Sequence, residues 1–138
     1  MIALCWWYAA DQEEGHITRT SAEVDAMLDT LAGMSREDWP VLAEVTQAEV
    51  DDLRAPMLGV GLHVDRGMLM YSGPDNRPGS YSHGDAPADG EPIDYMMGNS
   101  DTEFPADCEI PVDVVRRAVH EFAVNVRRPD GVPWRPVR

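Results

Sequence analysis

Apolar residues recur along this chain with two different spacings. Val24, Met27, Leu28, Leu31 and Met34 fall three and four apart, with Glu23, Asp25 and Asp29 on the other side. That period places the five on one face of a helix. Thr20-Ser21-Ala22-Glu23 just ahead has the pattern of a capping box, with Thr20 as the cap and Glu23 reaching back. The spacing predicts a helix over residues 21–33, stopped at Gly33. Val112, Val115, Val119, Phe122 and Val126 form a second stripe behind Pro111, a residue suited to open a helix. Arg116, Arg117, His120 and Glu121 face out from it.

Elsewhere the spacing is two. Leu58, Val60, Leu62 and Val64 share one face of a predicted strand, and Gly59, Gly61 and His63 share the other. The glycine side is smooth and lets a neighbour approach closely. Asp65-Arg66-Gly67 reads as a three-residue hairpin turn with Gly67 at positive φ, and Met68–Tyr71 as the returning strand. Further strands are expected at Ala3–Ala10, at Val41–Thr46 behind Trp39-Pro40, at Ile93–Met97, and briefly around Tyr81. Residues 72–92 hold four prolines and four glycines and read as a long connection. The tail from Arg127 to Arg138 reads as extended, with Trp134 tucked against the sheet. The elements add up to one α+β domain over residues 1–138. Its expected architecture is an antiparallel sheet of five or six strands with two helices packed on one face.

Charge alters this plain picture. The chain carries 25 acidic residues against 11 basic ones, a formal net charge of −14. Residues 11–53 hold twelve acids and two arginines, net −10; residues 75–109 hold nine acids and one arginine, net −8. Solubility needs only about 2–8 net charges on a small domain. Such an excess argues against nucleic acid and anionic membrane as partners, since both attract positive charge. It favours a protein partner with a basic surface, which an acidic face steers and captures. Apolar residues interleave with the acids, so the acidic blocks are outer faces of folded elements and loops. All the basic residues are arginine, a bias of the kind a GC-rich genome produces.

Candidate chemistry adds little. His16, His63, His83 and His120 are scattered without metal-ligand spacing, and a lone strand histidine is more often structural. Ser80-Tyr81-Ser82-His83-Gly84 is not a nucleophile elbow. Gly59-Val60-Gly61 lacks the rest of a dinucleotide fingerprint. Carboxylate pairs such as Asp51-Asp52, or Asp107 with Glu109, are frequent by chance at this acid content. The expectation is a non-enzymatic protein with no catalytic residue, no metal and no cofactor. Cys5 and Cys108 read as free thiols, although spacing alone leaves a disulfide open. Met1–Ala10 lacks a basic leader and reads as a strand rather than a signal peptide, which fits a cytoplasmic protein.

One family resemblance covers nearly the whole chain. Gly59-Val60-Gly61-Leu62, the Asp65-Arg66-Gly67 turn and Met68–Tyr71 resemble the central hairpin of the Imm1 immunity proteins. Phe104-Pro105, Glu109-Ile110-Pro111, Ala118-Val119 and Glu121-Phe122 resemble its C-terminal half, and Arg128-Pro129 with Trp134 its tail. The resemblance implies an antitoxin. Imm1 proteins are encoded beside polymorphic toxins of actinobacteria and related bacteria, often ones with a nucleic-acid deaminase domain, and each binds and blocks its cognate toxin. A toxin of that kind offers a basic groove to phosphates, and an acidic protein can occupy it. The expected toxin-binding residues are Asp85, Asp89, Glu91, Asp94, Asp101 and Glu103, on a monomer or weak dimer. The alternative is a non-enzymatic adaptor or structural binding module with an acidic surface.

Overall fold

In a computed structural model, residues 1–9 and 12–137 are described. Ala10, the expected end of the first strand, lies outside them, as do Asp11 and Arg138. The chain runs β1 (Leu4–Trp7), β2 (His16–Thr18), α1 (Ser21–Met34), β3 (Val41–Gln47), β4 (Met57–His63), β5 (Arg66–Gly73) and β6 (Asn76–Ser82). It continues through β7 (Ile93–Met97), β8 (Ser100–Phe104), a single 3-10 turn (Ala106–Cys108), β9 (Ile110–Pro111), α2 (Val112–Asn125) and β10 (Trp134–Pro136). The main sheet has the order β10-β6-β5-β4-β3-β1-β2, with every neighbouring pair antiparallel.

The sheet thus has ten strands among the described residues, not five or six. The reason is local. β2, β9 and β10 are two or three residues long, too short to show any period. β8 (SDTEF) and β6 (NRPGSYS) are strands without apolar alternation, held by pairing to a neighbour. A third of the expected 72–92 loop is therefore β6, its first two residues end β5, and the connection after β6 runs over residues 83–92. Trp134 opens β10 and donates its indole N–H to the Pro129 carbonyl at 2.8 Å.

Both helices lie on one face of the sheet, as their stripes require. Val24, Met27, Leu28 and Leu31 of α1 and Val115, Val119 and Phe122 of α2 share a core with Leu58, Val60, Leu62, Leu69 and Tyr71. Each fully buried Leu or Phe contributes roughly 1.5–3 kcal/mol. Thr20 Oγ1 caps α1 by accepting from Glu23 N–H at 3.1 Å, while Glu23 accepts from Arg19 N–H at 2.6 Å. α1 runs one residue past Gly33, and its last apolar residue, Met34, is left 38% exposed. Outward residues of α2 tie it to α1: Arg116 pairs with Asp29 and His120 with Asp25, both at 2.7 Å.

The opposite face carries a second core of Leu42, Met68, Tyr95, Phe104 and Cys108. β3 and β5 are apolar on both faces because both are covered: Leu42 and Met68 point one way, Ala43 and Leu69 the other. The cover is the β7–β8 hairpin. It joins the sheet through a parallel bridge between Val41 and Met96 and through Met96 N–H donating to the Pro40 carbonyl at 2.8 Å.

The β4–β5 turn differs from the expectation. His63 pairs with Arg66, so the loop is Val64-Asp65 and Val64 takes φ 63°. Val64 is not on the inner strand face but 61% exposed. Gly67 sits inside β5 opposite Leu62, where a Cβ would strike the Gly61 carbonyl oxygen. It is there for close backbone approach rather than for a turn.

Candidate functional site

Apart from Met96, which is buried where it bridges to Val41, the β7–β8 hairpin sorts its residues by face. Ile93 pairs with Phe104, Tyr95 with Thr102 and Met97 with Ser100; the alternate pairs are Asp94 with Glu103 and Met96 with Asp101. Tyr95 and Phe104 are buried in the second core, so the other face turns outward. Three of the expected toxin-binding residues, Asp94, Asp101 and Glu103, therefore project together from one exposed surface. The other three, Asp85, Asp89 and Glu91, are exposed along the 83–92 connection that leads into β7. That connection comes back to the hairpin: Ala88 and Pro92 line an open cleft of about 590 Å³ with Glu103, Phe104 and Tyr81. Among the described residues, none of the six forms an ion pair.

What holds this hairpin is a buried polar cluster that sequence reasoning did not assemble. Glu109 accepts from Tyr95 O–H at 2.7 Å and from Arg66 Nε–H at 3.0 Å. His63 Nδ1 lies 2.6 Å from the Glu109 carboxylate, and His63 Nε2 lies 2.6 Å from the Glu37 carbonyl oxygen. A carbonyl only accepts, so Nε2 carries a proton, and a second proton lies between Nδ1 and Glu109. Arg66 also reaches the Glu37 carboxylate at 2.6 Å. This hydrogen bond, the largest cause, pushes the Arg66 guanidinium further up and holds the Glu37 carboxyl below its ordinary value. Burial first, then the Glu109 charge, pushes the Tyr95 hydroxyl up, which keeps it a donor. The alternation that puts His63 beside Gly61 and Gly59 was the only trace of this cluster in the sequence. Its partners are 26 to 46 residues away.

Gly61 lets the Tyr95 ring lie on the sheet. A Cβ there would come 2.5 Å from Tyr95 Cε2. Tyr95 then stacks edge-on against His63 at 5.8 Å and Phe104 at 6.0 Å between ring centroids. The smooth face expected of β4 thus receives the hairpin that carries the acids.

Asp107 and Glu109, separated only by Cys108, serve different partners. Asp107 is buried and lies 2.9 Å from Arg135 of β10 and 3.4 Å from His83. Arg135 Nε is buried without a hydrogen-bond partner among the described residues. His120 is a link between helices, with Nδ1 3.3 Å from Ser21 Oγ, and His63 belongs to the Glu109 cluster. Among the described residues, no group of three His, Cys, Asp or Glu side chains is placed to hold a metal ion. Cys5 and Cys108 are free thiols. Among the described residues, no helix is long and apolar enough to cross a membrane.

The fold and this surface define a small α+β protein that presents exposed carboxylates on a firmly seated hairpin. The model of the immunity protein Imm1 family matches residues 12–136, and the chain belongs to that family. Immunity proteins bind a cognate toxin, and the family implies a non-enzymatic role. Comparison with curated proteins finds no match.

Proposed function

We propose that this protein is an antitoxin that binds a polymorphic toxin carrying a nucleic-acid deaminase domain and occludes the toxin's basic substrate groove. The observation that carries this reading is the set of six exposed carboxylates on and just before the β7–β8 hairpin, none of which forms an ion pair among the described residues. An enzyme that acts on DNA or RNA must offer positive charge to phosphates, and a surface bearing several negative charges on a rigid support competes for it. The protein acts in the cytoplasm as a monomer or weak dimer, and neither nucleic acid nor membrane is its partner. The net charge of −14 disfavours all three surfaces that are themselves anionic: nucleic acid, anionic lipid and a second copy of the chain.

The test is titration of the toxin's C-terminal domain, encoded directly upstream, with this protein at low and high salt. Tight binding that abolishes toxin activity, weakens as salt rises and fails on charge reversal of Asp85, Asp89, Glu91, Asp94, Asp101 and Glu103 supports the reading. Tight binding with no salt dependence leaves the immunity role and removes the charge-based mechanism. Absence of binding removes both.

A further inference from the structure

A second feature stands beside the acidic hairpin face. Where α1 ends, a cleft of about 370 Å³ opens between the helix layer and the hairpin, lined by Tyr8, Met34, Trp39, Met96 and the hairpin turn at Gly98 and Asn99. Trp39 is 54% exposed and Met34 38%. Met34 continues the α1 stripe beyond the last core residue, Leu31, and so faces the cleft instead of the sheet. A large indole left half in water, with Met34 exposed beside it and the already buried Met96 as the floor, forgoes apolar burial that the free protein cannot recover. Tryptophan and methionine are enriched where proteins dock, and tryptophan above all among the residues that dominate binding energy.

The border of the cleft is anionic along the hairpin, whereas beside Trp39 the charges are mixed, because exposed Arg36 pairs with Trp39 through the backbone. Met96 stands opposite Asp101 and on the same hairpin face as Asp94 and Glu103, and Asp38 is exposed next to Trp39. None of the four acids forms an ion pair among the described residues. An apolar centre with a carboxylate border fits an apolar side chain flanked by Arg or Lys. A second copy of this chain brings the same charge of −14 and is repelled, so a basic protein is the occupant that the charges select.

We infer that the Trp39–Met34–Met96 cleft is the apolar anchor of the toxin interface. One large apolar side chain of the toxin seats in it, and neighbouring basic residues of the toxin meet Asp94 and Asp101. This rests on the proposed antitoxin role. It adds that affinity comes mainly from the cleft, while the carboxylates set the association rate and its salt dependence.

Isothermal titration of the upstream-encoded toxin domain separates the two parts. Trp39→Ala removes an exposed side chain, so the melting curve should stay near that of the parent. Its Kd should weaken by about 30-fold, the hot-spot range, with the salt slope unchanged. The triple variant Asp94→Asn, Asp101→Asn, Glu103→Gln should flatten the salt slope. Asn99→Trp, in the exposed turn, should fill the cleft from its rim and weaken binding without removing any core contact. If Trp39→Ala and Asn99→Trp both bind within twofold of the parent while the triple variant is weakened, the cleft inference is overturned and the antitoxin reading stands. If the parent itself does not bind the domain, both fall.

Discussion

Asp94 and Glu103 are directly opposite one another across the β7–β8 hairpin, both exposed, with no cation paired to either among the described residues. Like charges in that position repel and cost the free protein up to about 1 kcal/mol. Glu103→Gln should therefore raise the midpoint of urea unfolding while lowering affinity for the toxin domain. A gain in stability with no loss of binding would detach this pair from function.

Glu109 holds three donors at once, from His63, Arg66 and Tyr95. Removing it leaves the buried His63 imidazole and the Tyr95 hydroxyl without their carboxylate acceptor, while Arg66 keeps only the more exposed Glu37 and Asp65. Glu109→Ala should cost about 3–5 kcal/mol, the range for breaking a buried charged pair. Tyr95→Phe removes only one hydrogen bond to a charged acceptor and should cost about 1.5–3 kcal/mol. Chemical denaturation of both variants checks the order; equal costs would show that the cluster does not act through Glu109.

Gly61→Ala places a methyl group against the Tyr95 ring, inside the distance that any real Cβ keeps. The ring must shift, at a cost of about 1–3 kcal/mol for overpacking. The hairpin moves with its tyrosine, so toxin affinity should fall as well. Loss of stability with unchanged affinity would place the binding face elsewhere than on the hairpin.

Val64 adopts φ 63° in a two-residue turn, a conformation that a β-branched side chain takes only under strain. Asn tolerates that region, and Val64 is largely exposed, so little packing is lost. Val64→Asn should stabilise the protein by about 1 kcal/mol, read as a rise in Tm. A fall in Tm would mean that the valine side chain packs usefully.

Burial pushes the Cys108 thiol up from 9.0 to about 12, with the Glu109 and Asp107 charges adding to it. Burial, then the Asp75 charge, pushes Tyr71 up from 10.0 to about 12. Both groups are neutral when protonated, and the folded state keeps protons that the unfolded chain releases. Their contribution is complete below pH 9 and declines as pH rises from about 9 to 12. Unfolding midpoints measured from pH 8 to 11 should fall, and Cys108→Ala should flatten the first part of that fall. At pH 8 a thiol reagent should leave Cys108 untouched in the native protein and modify it after unfolding.

Elements whose signal is local are legible in the linear chain. Both helices follow from period and caps, because the capping box at Thr20 and the stripe from Val115 to Phe122 are complete within a few residues. β3, β4 and β7 follow from apolar runs, and six exposed acids follow from charge alone. Folding in three dimensions was needed to make strands of β2, β8, β9 and β10 and to lengthen the short strand expected around Tyr81 to Asn76–Ser82, because their hydrogen bonds come from neighbours and their side chains carry no period. It also decided which acids share a surface. Strand pairing puts Asp94 opposite Glu103 nine residues on, while Asp107 and Glu109 part toward different cations. The Glu109 cluster and the Trp39 cleft were illegible for the same reason. Each is assembled from residues dozens of positions apart, and burial and hydrogen bonding act on distance in space, which a linear pattern does not record.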